Sequence, residues 1–166
     1  MIFIFKSYSK LSLLCAVALL GAVVLAVPDG VYAMGKSSEE TPKTADKDFK
    51  EGRAAVYAGR YDAAVSLMKK VIAQEPKNAD AHNYLGFSYR KTEKLELAAA
   101  SYMRVFAIEP NHKGALEYQG ELFLKLGDIT RARKNLVQLE KLCPRGCKEL
   151  NELRQAIAGF EPSRGS

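Results

Sequence analysis

The sequence contains no tryptophan, two histidines and three cysteines among its 166 residues. His82 and His112 stand apart from one another, and no Cys, Asp or Glu pattern with metal-ligand spacing surrounds either, so no metal is expected. No phosphate-cradling glycine loop and no nucleophile beside a general base can be read along the chain. These absences leave little catalytic equipment, and neither an enzyme nor a cofactor is expected. A block of one charge sign is also missing. The formal net charge is +6, but basic and acidic residues are interleaved, which excludes a dedicated nucleic-acid stripe.

One long uncharged run is present. Residues 11–27, LSLLCAVALLGAVVLAV, follow Lys6 and Lys10 and precede Pro28 and Gly30. Val31, Tyr32 and Ala33 then offer a small-residue processing pattern, so residues 1–33 read as a secretory signal cleaved after Ala33. The alternative is an uncleaved membrane anchor, for which the run is slightly short of the roughly 20 residues a span needs. Cys15 is not a lipid-modification site, because Ser12, Leu13 and Leu14 before it lack the small residues required. Either reading places the remainder outside the cytosol: periplasmic, or anchored in an inner membrane and facing the periplasm. Residues 34–44 are polar and without period, a flexible leader, and 161–166 form a disordered tail.

Between these ends the chain repeats itself at a constant shift, the one that carries Gly52 onto Gly86. Gly52, Gly86 and Gly120 fall into one column, Ala64, Ala98 and Ala132 into a second, and Pro76, Pro110 and Pro144 into a third. A fixed period of this size signals stacked units that bury their apolar faces on one another. In the middle unit, ADAHNYLGFSYRK carries Ala81, Leu85 and Tyr89 at helical spacing. A polar TEKL turn follows, and then an Ala-rich helix with Leu95, Ala98, Tyr102, Val105 and Phe106 on its apolar side. Pro110 ends that helix, and Asn78 and Asp80 suit the start of the helix before it as caps. Gly86 and Ala98 are small where the two helices approach. Each unit is therefore a helical hairpin.

The pattern resembles the tetratricopeptide repeat. The middle unit supplies His82, Leu85, Gly86, Tyr89, Ala98, Tyr102, Val105 and Pro110 at the motif positions; the third supplies Leu116, Gln119, Gly120, Phe123, Gly127, Ala132, Leu136, Leu139 and Pro144. The first supplies Asp48, Glu51, Gly52, Ala55, Gly59, Ala64, Met68, Val71 and Pro76, with two acids where apolar residues are usual, as an outer repeat tolerates. The resemblance implies an all-α, right-handed superhelical solenoid of three hairpins, at 45–78, 79–112 and 113–146. A capping helix follows at 147–160, with Leu150, Leu153, Ile157 and Phe160 on one face.

The same resemblance implies a concave groove lined by the first helix of each unit, and a protein or peptide as its occupant. Matching motif positions gives Phe49, Arg53, Val56 and Tyr57, then Asn83, Tyr84, Phe87, Arg90 and Lys91, then Glu117, Tyr118, Glu121, Leu124 and Lys125. In that groove Arg53, Arg90 and Lys91 suit carboxylates, and Glu117 and Glu121 suit a basic group. For Tyr84 and Tyr118, packing between helices remains an equal alternative. Family members that clamp a C-terminal carboxylate do so with Lys, Asn and Arg; the matching positions here hold Phe49, Arg53, Tyr84, Gly114 and Tyr118, so the clamp is absent.

Cys143 and Cys147, spaced by three residues at the last joint, lack redox-motif spacing and in an oxidising compartment are expected to form a structural disulfide. The expected function is a non-catalytic protein–protein interaction module of the bacterial cell envelope, contacting a membrane only through its N-terminal segment. The alternative is an assembly factor acting by self-association or by supporting envelope machinery such as secretion, pilus, outer-membrane assembly or cytochrome maturation.

Overall fold

A computed structural model describes residues 41–160. The uncharged run at 11–27, the processing position after Ala33 and the tail at 161–166 lie outside the described residues. Seven helices fill the described chain: α1 (Thr41–Tyr57), α2 (Tyr61–Gln74), α3 (Ala79–Lys91), α4 (Leu95–Ile108), α5 (Lys113–Lys125), α6 (Ile129–Leu142) and α7 (Lys148–Phe160). Helices α1 and α2, α3 and α4, and α5 and α6 pair as antiparallel hairpins; α2 packs on α3, and α7 covers α5 and α6. The fold is an all-α solenoid of helical hairpins. Helix α1 begins inside the segment expected to be a flexible leader, since Pro42 is tolerated in a first helical turn.

The start of each inner unit is fixed by a side chain that accepts from a free backbone N–H. Asn78 Oδ1 accepts from Ala81 N at 2.9 Å, and His112 Nδ1 accepts from Ala115 N at 3.1 Å. Asp128 caps α6 in the same way, through Arg131 N at 2.9 Å. Each hairpin turn holds one residue in the left-handed region: Gly59 at φ 71°, Glu93 at φ 59° and Gly127 at φ 76°. These three occupy one column of the repeat, so the middle turn carries a glutamate where its neighbours carry glycine.

Buried apolar residues form two main clusters. Met68, Val71, Leu85, Tyr89, Tyr102, Val105 and Leu122 make the first, across the first two hairpins and into the third. Leu116, Leu139, Leu150, Leu153 and Ile157 make the second, so α7 supplies much of the cover for the last hairpin. Phe106 packs against both, which makes the core continuous. Gly86 lies against the fully buried Tyr102 ring, and a Cβ there would sit 2.7 Å from Tyr102 Cε1. The small residue at this column is thus a consequence of the aromatic one on the partner helix.

Candidate functional site

One open face of the array is built from α1, α3 and α5, and it carries a row of aromatic rings. Phe49 of α1 meets Tyr84 of α3 edge-on at 5.9 Å, and Phe87 of α3 meets Tyr118 of α5 at 4.7 Å. Tyr61, at the start of α2, closes on Phe87 at 6.0 Å. The rings of Phe49, Tyr84, Phe87 and Tyr118 are all half-buried, so each keeps surface toward solvent. Tyr84 and Tyr118 combine both roles left open by the sequence: they pack on the core and also border the open face.

Arg53 and Tyr57 are exposed on the same face. The Arg53 guanidinium stands 5.9 Å from the centroids of both Phe49 and Tyr84. Tyr57, 72% exposed, brings its hydroxyl to 3.5 Å from that of Tyr84. The pairing with Tyr84 pulls the Tyr57 phenol below its usual value; burial, with the Tyr57 contact, pushes the Tyr84 phenol up to about 12.

Several expected groove residues are placed otherwise. Arg90 is only 3% exposed and ion-paired with Glu121; its guanidinium lies 5.2 Å from the Phe87 centroid and 5.7 Å from that of Tyr118. It is therefore a tie between α3 and α5 beneath the aromatic row, not a free cation for a ligand carboxylate, and Glu121 is correspondingly engaged. Asn83 is 4% exposed, between the starts of α3 and α5, where its amide nitrogen lies against Gly114. Lys125 bonds to Glu93 of the preceding turn at 2.6 Å. Val56 and Leu124 are buried in the core. Lys91 stays exposed, with its ammonium 5.3 Å from the Phe87 centroid. For Arg90, Glu121 and Asn83 the physical reason is the same: the neighbouring first helices α3 and α5 are close enough that side chains at their edges meet each other before they meet solvent.

Helix α7 extends the face beyond what the three repeats supply. A cleft of about 420 Å³ is lined by Phe87, Lys91, Glu117, Tyr118, Glu121, Lys148, Glu152, Gln155 and Ala156. Glu117 is 4% exposed, and burial together with Glu152 and Glu121 pushes its carboxyl up to about 9. Lys148 pairs with Glu152 at 3.5 Å and acts on Glu117 only as a weaker opposing charge. Lys148, Glu152 and Gln155 lie outside the groove set that the repeats lead one to expect. A signal for them exists: Tyr84, Tyr118 and Glu152 share one column of the repeat, as do Phe87, Glu121 and Gln155. Helix α7 thus keeps the repeat register.

At the joint before α7, Cys143 and Cys147 face one another with Cα atoms 5.8 Å apart, a separation that suits a disulfide. No group of three or more His, Cys, Asp or Glu arranged to hold a metal ion occurs among the described residues, and no described helix is long and apolar enough to cross a membrane.

Comparison with known proteins matches the architecture. The tetratricopeptide repeat family profile covers residues 49–109. No curated protein matches the chain in sequence. Among solved structures, the first such domain of human RPAP3 superposes with a TM-score of 0.62 at 22% identity, over 74% of this chain and 98% of that one. The second RPAP3 domain, solved in complex with an HSP70 peptide, gives 0.61 at 20% identity, over 70% and 97%. The TPR2B domain of yeast Sti1, in a complex with pHsp70, gives 0.66 at 15% identity, over 73% and 98%. The profile spans the first two hairpins and the shared fold spans all three: the chain carries tetratricopeptide repeats at residues 49–109, within a fold of that kind.

Proposed function

We propose that the chain is a non-catalytic interaction module that holds a peptide, or an extended segment of a partner protein, across the face formed by α1, α3, α5 and α7. The observation that carries this reading is the row of half-buried rings, Phe49, Tyr84, Phe87 and Tyr118, with exposed Arg53 and Tyr57 beside it. Aromatic and arginine side chains dominate binding interfaces because they present large areas with little rotamer freedom to lose. The second RPAP3 domain, of the same fold, is solved with an HSP70 peptide, and the Sti1 TPR2B domain in a pHsp70 complex. The positions of the carboxylate clamp hold Phe49, Arg53, Tyr84, Gly114 and Tyr118 here, which favours a ligand other than a C-terminal carboxylate. The uncharged run at 11–27 and the facing cysteines support a place in a bacterial envelope, periplasmic or inner-membrane anchored, with a Cys143–Cys147 disulfide.

Affinity capture from an envelope extract tests the reading, comparing the full chain with an Arg53→Ala, Tyr57→Ala double variant. Both side chains are exposed, so the variant should keep wild-type helicity. Partners retained by the wild type and lost with the variant are expected; identical sets from both would reject the groove. Fractionation of cells tests the compartment. A second reading, assembly by self-association, is favoured by exposed Leu97 and Met103 on α4 and Val137 on α6. Concentration-dependent mass in sedimentation, abolished by Met103→Glu, would establish it.

A further inference from the structure

Resting on the reading of this face as a peptide groove, we propose that the cleft between α5 and α7 receives a lysine or arginine side chain of the bound segment, with Glu117 and Glu152 as its carboxylate partners. Glu117 is 4% exposed yet lines an open cleft of about 420 Å³. Among the described residues no lysine or arginine forms an ion pair with it. The nearby cations are engaged elsewhere: Arg90 with Glu121, Lys125 with Glu93, and Lys148 with Glu152 at 3.5 Å. The group that faces Glu117 across the cleft is another carboxyl, that of Glu152 on the facing helix. A buried carboxylate without a cation is strongly disfavoured. Burial, with Glu152 and Glu121 nearby, pushes the Glu117 carboxyl up to about 9, so in the free protein it keeps its proton at neutral pH.

A ligand cation would replace that proton. The free site holds one proton on Glu117; on binding, that proton leaves to solvent and the ammonium or guanidinium takes its place beside the Glu117 and Glu152 carboxylates. No bond to carbon changes and no co-reactant is needed. The Phe87 and Tyr118 rings at the cleft wall suit the flat or methylene part of such a side chain. Charged and titratable groups toward Glu117 are Glu121 on α5, Lys148 and Glu152 on α7, and Arg90, Lys91 and Tyr118 around the cleft. Lys91 and Lys148 are exposed side chains able to swing away, whereas Glu117 is fixed by burial. The buried group therefore selects the sign of the ligand. On its other side α5 meets α6 through Asn135, a neutral amide that donates to Leu116 O and Gln119 Oε1.

The test is a selection of displayed random peptides on the immobilised full chain at neutral pH, followed by titration of the best peptide. Wild type should enrich peptides with Lys or Arg at one fixed place. Glu117→Gln, which keeps the shape of the protonated carboxyl, should bind them about tenfold more weakly or worse. Glu96→Gln, on α4, should bind as wild type. Calorimetry in buffers of different ionisation heat should show proton release on binding. Enriched peptides without a basic residue, or equal binding to Glu117→Gln, would overturn the cation site while leaving the groove intact, provided Arg53→Ala, Tyr57→Ala loses them. Unchanged binding to that double variant, or no enrichment at all, would overturn the groove reading and this inference with it. Denaturation curves of each variant check that the fold is retained.

Discussion

Glu117 shows how one buried side chain sets the response to pH. Its carboxyl titrates at about 9 in the folded chain, against an ordinary value of 4.5. Between those values the folded state binds more protons than the unfolded state, so stability falls as pH rises through that window and levels off above it. Glu117→Gln should flatten this slope in urea melts and leave the variant more stable than wild type at the alkaline end. A second titration lies at His112. Burial lowers its basicity, but the Asp80 carboxylate at 3.2 Å, with Glu109, more than offsets this and raises its pKa. Asp80→Asn should therefore move the His112 ring resonances to titrate at lower pH in an NMR series. The Arg90 and Glu121 tie is the third case at this scale. Removing Glu121 leaves an arginine that is 3% exposed without its counter-charge. Glu121→Ala should lower unfolding stability by about 2–4 kcal/mol in chemical denaturation.

At the scale of elements, the helix ends and turns are legible in the sequence because their chemistry is local. Asn78 reads as a cap from sequence and caps α3. His112 does the same for α5 but does not read so, because histidine is not a usual capping residue. The middle turn holds the more instructive residue. Glu93 adopts φ 59° where Gly59 and Gly127 stand in the flanking hairpins. A side chain in the left-handed region is strained by its Cβ. Glu93→Gly should raise stability by about 0.5–1 kcal/mol despite losing the exposed pair with Lys125, which is worth little. Gly86 predicts the opposite sign. Gly86→Ala places a methyl against the buried Tyr102 ring and should cost about 1–3 kcal/mol, whereas Gly159→Ala in α7, with nothing within 4 Å, should be neutral or mildly stabilising.

For the whole molecule, the last joint depends on a single added helix. Leu116 and Leu139 of the third hairpin are covered by Leu150, Leu153 and Ile157 of α7, and the Cys143 and Cys147 pair offers a covalent tie there. The closed loop is short, so reduction should lower stability by only about 2 kcal/mol. Loss should appear first as faster amide exchange in α7, measured with and without reductant.

The hairpin period, the small-residue columns and the apolar faces follow from the order of amino acids alone, because each expresses a constraint that returns with every repeat. The same order shows which residue types border the open face. Which of those side chains remain available is a property of the packed fold. Arg90 and Glu121 satisfy each other, Asn83 and Lys125 are taken up by the neighbouring hairpin, and Glu152 arrives from α7, beyond the three hairpins. Pairing across helices depends on distances between residues far apart in the chain, and charge in a cleft is decided by burial; neither is written in the local order of amino acids.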